Sequence, residues 1–163
     1  MNRPEPLAVT VSTVIAAAPS TVYDLISDIT AMGRFSPETV SAHWLDGASV
    51  AAVGARFVGK NAVNGMHWTT TATVTVADPG RRFAFHVPSG ARSTWTYQLD
   101  PVDGGTAVTE SISTERAIPA LIRFFIRRAG VTDRTEHLRT GMQSTLDRLA
   151  VAATAAESRT IRH

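Results

Sequence analysis

One carboxylate in the chain falls where a carboxylate is costly. In "GGTAVTES" (104–111) the alternation puts Glu110 on the same side of a strand as Val108 and Ile112, the apolar side. A buried carboxyl must be paired, hydrogen-bonded or protonated. It could hydrogen-bond the polar end of a ligand, or trade protons as an acid/base with a raised pKa. It could also pair with an arginine of the C-terminal segment, or lie near a strand end and meet water. Glu110 is the only catalytic candidate among the inward positions. Asn61 and Tyr97 fall on the same side and offer an amide and a phenolic hydroxyl, for ligand contact or for structure.

The remaining reactive residue types do not assemble into familiar chemistry. His43, His67 and His86 each neighbour an inward aromatic (Trp44, Trp68, Phe85), so alternation turns them outward. His137 precedes an inward Leu138, and His163 ends the chain. There is no HExxH pair, no GxSxG elbow and no Gly-rich phosphate loop. With no cysteine in the chain, disulfides, thiolate zinc sites and a cysteine nucleophile are excluded. Neither a metal nor a cofactor is expected.

Composition narrows the class. The chain is 44% apolar and 18% charged, which suits a single globular domain over 1–163 with an ordered core near 7–155. Residues 1–114 carry seven basic and nine acidic side chains, net −2; residues 115–163 carry nine and five, net +4. The basic character thus belongs to the C-terminal third. It lacks the interleaved aromatics or reading motif of a nucleic-acid binder, so none is expected. No apolar run is long enough to span a membrane, and the first residues lack the core of a signal peptide; a cytoplasmic protein is expected. The oligomeric state is left open.

These residues need elements to position them. "LAVTVSTVIA" (7–16) alternates as a strand; Pro19 opens a helix with Val22, Leu25, Ile26 and Ile29 as its stripe, and "TAMGRFSP" reads as a second short helix. From residue 39 the period changes to two, with strands near 39–46, 54–61, 67–77, 81–87, 92–100 and 105–115. Turn signals at Asp46-Gly47, Asn64-Gly65, Asp78-Pro79-Gly80, Ser89-Gly90 and Asp103-Gly104-Gly105 imply antiparallel hairpins. Helical spacing returns after Pro119, breaks at Gly130, and continues for roughly 25 residues, or ~38 Å. A helix ~10 Å wide cannot cover seven strands spaced at ~4.8 Å, so a curved sheet around it can enclose space.

This order resembles the helix-grip fold of the START and birch-pollen-allergen superfamily, and is most similar to its bacterial polyketide cyclase/dehydrase and lipid-transport (SRPBCC) branch. The resemblance is carried by "AAPSTVYDLISDI" with "FSP" up to residue 37, "VGARFVGKN" (53–61), Trp68 with "TVTVADPGRRFAF" (73–85), "WTYQL" (95–99), "GGTAVTES" and "GMQSTLDRLA" (141–150). It implies an α+β fold: a curved antiparallel sheet of about seven strands around a long C-terminal helix, with two short helices after the first strand.

Alternation then defines an interior face. It collects Val40, Ala42 and Trp44; Phe57, Gly59 and Asn61; Trp68, Thr70, Ala72, Val74 and Val76; Phe83, Phe85 and Val87; Trp95, Tyr97 and Leu99; and Val108, Glu110 and Ile112. Leu138, Met142, Thr145 and Leu149 give the long helix an inward stripe. The expected ligand-binding set is Phe35, Trp44, Phe57, Asn61, Trp68, Phe85, Trp95, Tyr97, Glu110, Leu138 and Met142. With the resemblance, this implies a binder or carrier of a small hydrophobic molecule, such as a lipid, fatty acyl group or polyketide, more than an enzyme. The alternatives are an aromatase/cyclase-like enzyme and an interaction or stress-response module whose interior is filled. In "IPALIRFFIRRAG" (118–130), Arg123, Arg127 and Arg128 cluster without an acid. That allows weak contact with an anionic membrane, a flap over a ligand mouth, or a short helix on the sheet rim.

Overall fold

The computed structural model describes residues 3–162. Strand β1 (Ala8–Ile15) is followed by α1 (Pro19–Ser27), a 3-10 turn (Ile29–Ala31) and the short α2 (Met32–Phe35). Six strands come next: β2 (Thr39–Trp44), β3 (Arg56–Val63), β4 (Met66–Asp78), β5 (Arg82–Val87), β6 (Ser93–Val102) and β7 (Gly105–Thr114). Helices α3 (Ala120–Arg128) and α4 (Arg134–Ile161) end the described chain. All seven strands form one antiparallel sheet in the order β1-β7-β6-β5-β4-β3-β2, the helix-grip arrangement. None of the described helices is long and apolar enough to cross a membrane.

The local causes are readable. Pro19 fills the first turn of α1, where its missing N–H leaves nothing unpaired. Asn64 and Gly65 both hold positive φ, the two-residue turn that follows the twist of the β3–β4 hairpin. At Gly33 a Cβ would stand 2.4 Å from the Val40 carbonyl oxygen, so glycine is what lets α2 lie against β2. This accounts for "TAMGRFSP": a short helix pressed onto the sheet edge, which ends where Ser36 turns extended before Pro37. Helix α4 begins with Asp133 as its N-cap, whose side chain accepts from the Glu136 N–H at 3.1 Å.

The concave face of the sheet carries the core. Phe83, Val74, Leu99 and Val108 are fully buried there, and Leu146, Leu149 and Ala153 of α4 close on β1 and α1. Two bulges correct the face assignment. Between Val74 and Val76 the register of β4 slips by one residue, so Ala77 pairs with Phe83 and packs on the core, while Val76 pairs with Ala84 on the other face. A second slip, between Thr39 and Ser41, leaves Val40 exposed, not inward. A one-residue insertion reverses every side chain beyond it.

Candidate functional site

Helix α4 covers one side of the sheet tightly and leaves a chamber of ≈190 Å³ on the other. Its ceiling is the first half of α4, through Arg134, Leu138, Gly141, Met142 and Thr145; its floor is the middle of β3 to β7. Gly141 allows the close approach of α4 to the α2–β2 junction, since a Cβ there would press on the Pro37 ring at 3.3 Å.

Nine of the eleven expected residues line this chamber: Phe57, Asn61, Trp68, Phe85, Trp95, Tyr97, Glu110, Leu138 and Met142. Phe35 and Trp44 do not. Phe35 is buried at the end of α2 with Arg34 over its ring, and its carbonyl accepts from Arg148. Trp44, half-buried on the edge strand, packs edge-on against Phe57 at 5.8 Å, behind the chamber wall. Phe57 continues to Phe85 at 5.1 Å and Phe85 to Trp95 at 6.4 Å, so one row of aromatic rings braces the floor.

The polar groups of the chamber fall into three sets. Asn61 is fully engaged: its Oδ1 accepts from the Thr39 hydroxyl at 3.1 Å, and its Nδ2 donates to Thr70 Oγ1 at 3.3 Å and to the Gly59 carbonyl at 3.4 Å. It ties β2, β3 and β4 together. At the mouth Arg134 grips Glu38 with both guanidinium nitrogens, the second at 3.0 Å, and His137 Nε2 lies 3.5 Å from the same carboxylate. Glu38, Pro37 and Gly141 also border an outer groove of ≈570 Å³, so this ion pair stands between chamber and groove.

The third set is Glu110 with Tyr97. Their strands are joined by the turn at Asp103-Gly104, which fixes Val102 opposite Gly105 and hence Tyr97 opposite Glu110. The Tyr97 hydroxyl donates to Glu110 Oε1 at 2.9 Å, while Oε2, equally buried, has no partner. Glu110 is 2% exposed, and burial lifts its pKa to about 8 against the opposing pull of the Tyr97 hydrogen bond. The same burial, with the Glu110 carboxyl beside it, pushes the Tyr97 phenol well above its usual range. Of the alternatives open for Glu110, pairing with an arginine of the C-terminal segment is not what the structure shows; its partner is a tyrosine. Among the described residues no ion pair reaches Glu110, and no group of three His, Asp or Glu side chains could hold a metal ion.

Two features escaped the sequence reading. The Glu38–Arg134 clasp joins residues 96 positions apart and leaves no local pattern. The Tyr97–Glu110 pairing did have a signal, because a two-residue turn at 103–104 sets the register of everything above it.

Comparison with known proteins agrees with the fold. Residues 6–154 match the family described as polyketide cyclase / dehydrase and lipid transport. The solution structure of the polyketide-cyclase-like protein Cgl2372 from Corynebacterium glutamicum is 31% identical, with 99% of this chain and 98% of that one covered and a TM-score of 0.58. Ginseng major latex-like protein 151 from Panax ginseng shares the fold at 13% identity, with 91% and 98% covered and a TM-score of 0.68. The di-domain aromatase/cyclase StfQ of the steffimycin pathway also shares it, at 13% identity, with 93% and 52% covered and a TM-score of 0.73. No curated protein matches the chain in sequence.

Proposed function

The chain belongs to the polyketide cyclase / dehydrase and lipid transport family, and from that premise we propose that it binds a small hydrophobic molecule in the chamber under α4. One observation carries this reading: an aromatic-walled space holds a single buried carboxyl with one oxygen unpartnered. Burial of the ligand's apolar surface supplies the affinity, and the Tyr97–Glu110 pair orients its polar end. Phe57, Trp68, Phe85, Trp95, Leu138 and Met142 are the proposed apolar contacts. Asn61, whose amide is already satisfied, serves the wall more than the ligand.

The volume limits the ligand. A cavity of about 150 Å³ accommodates benzene, whereas ordinary ligand pockets run from roughly 300 to 1,000 Å³. At ≈190 Å³ this chamber suits a molecule of one or two rings, and a long acyl chain would have to extend past the Glu38–Arg134 clasp into the outer groove. Native mass spectrometry of freshly purified protein, followed by organic extraction, tests the proposal. A reproducible adduct of an apolar small molecule supports it. A clean apo mass that persists after incubation with small aromatic compounds favours the filled-interior module instead.

A second reading, an aromatase/cyclase-like enzyme, draws on the same carboxyl. A Glu110 with a pKa near 8 can give or take a proton close to neutral pH, and the chamber together with the outer groove would hold a poly-ketone chain in a reactive fold. E110Q separates the readings: an enzyme loses turnover and keeps its affinity, while a binder shows no turnover in either form.

The C-terminal basic region also contributes a proposed contact, a weak one with anionic membrane. Leu121, Phe124 and Phe125 are 66%, 59% and 51% exposed on α3, beside the exposed Arg127 and Arg128, and the helix contains no acid. Apolar side chains flanked by arginines suit the interface of an anionic bilayer, and a single short helix of this kind anchors only weakly. Co-flotation with phosphatidylserine vesicles at low salt, absent with phosphatidylcholine alone, is the expected result.

A further inference from the structure

The chamber's polar chemistry is asymmetric, and the asymmetry selects among apolar molecules. Tyr97 occupies Glu110 Oε1 as a donor, so Oε1 acts as the acceptor side of the carboxyl. When the group is neutral its proton resides on Oε2, the oxygen with no partner. A neutral Glu110, a residue of the chamber lining, therefore carries one unused hydrogen-bond donor.

The surroundings supply no positive charge for a buried anion. Val11 of β1 is the cross-strand neighbour of Glu110, and Tyr97 is its titratable neighbour on β6. From α4 the chamber receives Leu138, Met142 and Thr145, and the Thr145 hydroxyl is engaged with the Gly141 carbonyl. The charged groups in the lining besides Glu110 are Arg134 and Glu38, which neutralise one another at the mouth. Asn61, Thr39 and Thr70 bond to one another. An anionic ligand in this space would be a second buried acid without a cation. A carbonyl oxygen fits, because it accepts one hydrogen bond and brings no hydrogen that needs a partner of its own.

Resting on the ligand-binding reading above, we infer that the chamber selects neutral, compact apolar molecules that carry a carbonyl oxygen, such as ketones, esters or lactones. Glu110 Oε2 donates to that oxygen, and free carboxylic acids in their anionic form are rejected. The lift of the Glu110 pKa to about 8 keeps the donor in place through neutral pH.

Three probes of nearly the same shape test this: acetophenone, α-methylstyrene, in which a methylene replaces the carbonyl oxygen, and benzoate. Each is titrated into the whole protein by ligand-observed NMR at pH 6.5 and 9.5. At pH 6.5 acetophenone should bind about ten-fold more tightly than α-methylstyrene, the scale expected for a hydrogen bond to a buried donor, and benzoate should not bind. At pH 9.5 the preference should shrink to about two-fold or less as Glu110 ionises and loses the donor. E110Q retains an N–H donor at both pH values, so its preference should survive at 9.5. E110L, or E110L/Y97F where the lone phenol disturbs folding, should bind both neutral probes equally. Equal binding of ketone and hydrocarbon by the wild-type protein at pH 6.5, or binding of benzoate tighter than either, overturns the inference while leaving the chamber as a ligand site. Absence of binding by both neutral probes overturns the ligand-site reading along with it.

Discussion

Two regions of this molecule break the ordinary division between a wet polar outside and a dry apolar inside, and they break it in opposite directions. In the chamber a carboxyl and a phenol sit among Phe57, Phe85, Trp95 and Ile112, away from water. On α3 the bulky residues Leu121, Phe124 and Phe125 face solvent while Ile126 alone among the helix's residues is buried. The fold tolerates the first because a retained proton removes the charge and the Tyr97 hydrogen bond satisfies Oε1. It tolerates the second because α3 is held mainly through one side chain, Ile126, in a small cluster with Val63, Val131, Met66, Trp68 and Ile118, and through the Asn64 side chain on the Ala129 carbonyl. An inward polar group costs folding free energy, whereas an outward apolar group costs little until another surface meets it. Substitutions in the two regions should therefore register in different measurements.

The largest effect belongs to Glu110. Its folded pKa is raised above the unfolded value, so the folded state holds a proton that the unfolded state releases between about pH 4.5 and 8. The stability this gives is fully present below the unfolded pKa and drains away as pH rises to about 8. E110Q has no proton to lose. Across that window the wild-type protein should lose several kcal/mol relative to E110Q, as read from urea midpoints at each pH. A constant difference between the two proteins would mean that Glu110 is solvated and the contrast with α3 is false.

Next in size is Tyr97→Phe. The phenol's hydrogen bond lowers the Glu110 pKa against the pull of burial, so its removal should raise that pKa further. Leaving Oε1 without a donor should also cost about 1–2 kcal/mol at neutral pH. Carboxyl carbon NMR follows the titration directly. An unchanged Glu110 pKa would show that the pair is not coupled through this bond.

Arg134→Ala comes third, at about 1 kcal/mol, because the clasp with Glu38 is only partly shielded from water. Its sharper signature is local. Amide exchange at residues 38–39 should speed up, and ligands should enter the chamber faster, with the interior pair unaffected.

The sequence made one of these regions far more legible than the other. Every strand expected from period-two alternation is present with ends within two residues, because sheet, turns and apolar face all pull toward one register. Alternation reports which face a side chain takes, but not how far along the sheet it stands. That is why Trp44 and Phe35 carried the right character and still fell outside the chamber lining. It is also blind to a bulge: nothing in "TVTVAD" marks the slip that turns Val76 away and Ala77 in. The Glu38–Arg134 clasp depends on the packing of α4 over the α2–β2 junction, a tertiary fact with no sequence period. Glu110 was legible because it violated the pattern around it; its tyrosine partner was missed although the hairpin turn fixes the register that pairs them.

The smallest stability change, and the one that most sharpens the comparison, is expected on α3. In the double variant F124S/F125S, two rings that stack edge-on against each other at 5.5 Å are exchanged for hydroxyls already in water. Little buried area is lost, so the unfolding free energy should stay within about 0.5 kcal/mol of the parent. The chamber's preference among probes should also be untouched, since α3 contributes nothing to its lining. What should vanish is co-flotation with anionic vesicles, which depends on the apolar side chains to enter the interface and on Arg127 and Arg128 to meet the headgroups. R127Q/R128Q should weaken flotation most at low salt and leave the residual, salt-insensitive part to the phenylalanines. If F124S/F125S unfolds far more easily, those rings belong to the core. If it floats as the parent does, the exposed face is not what touches the membrane.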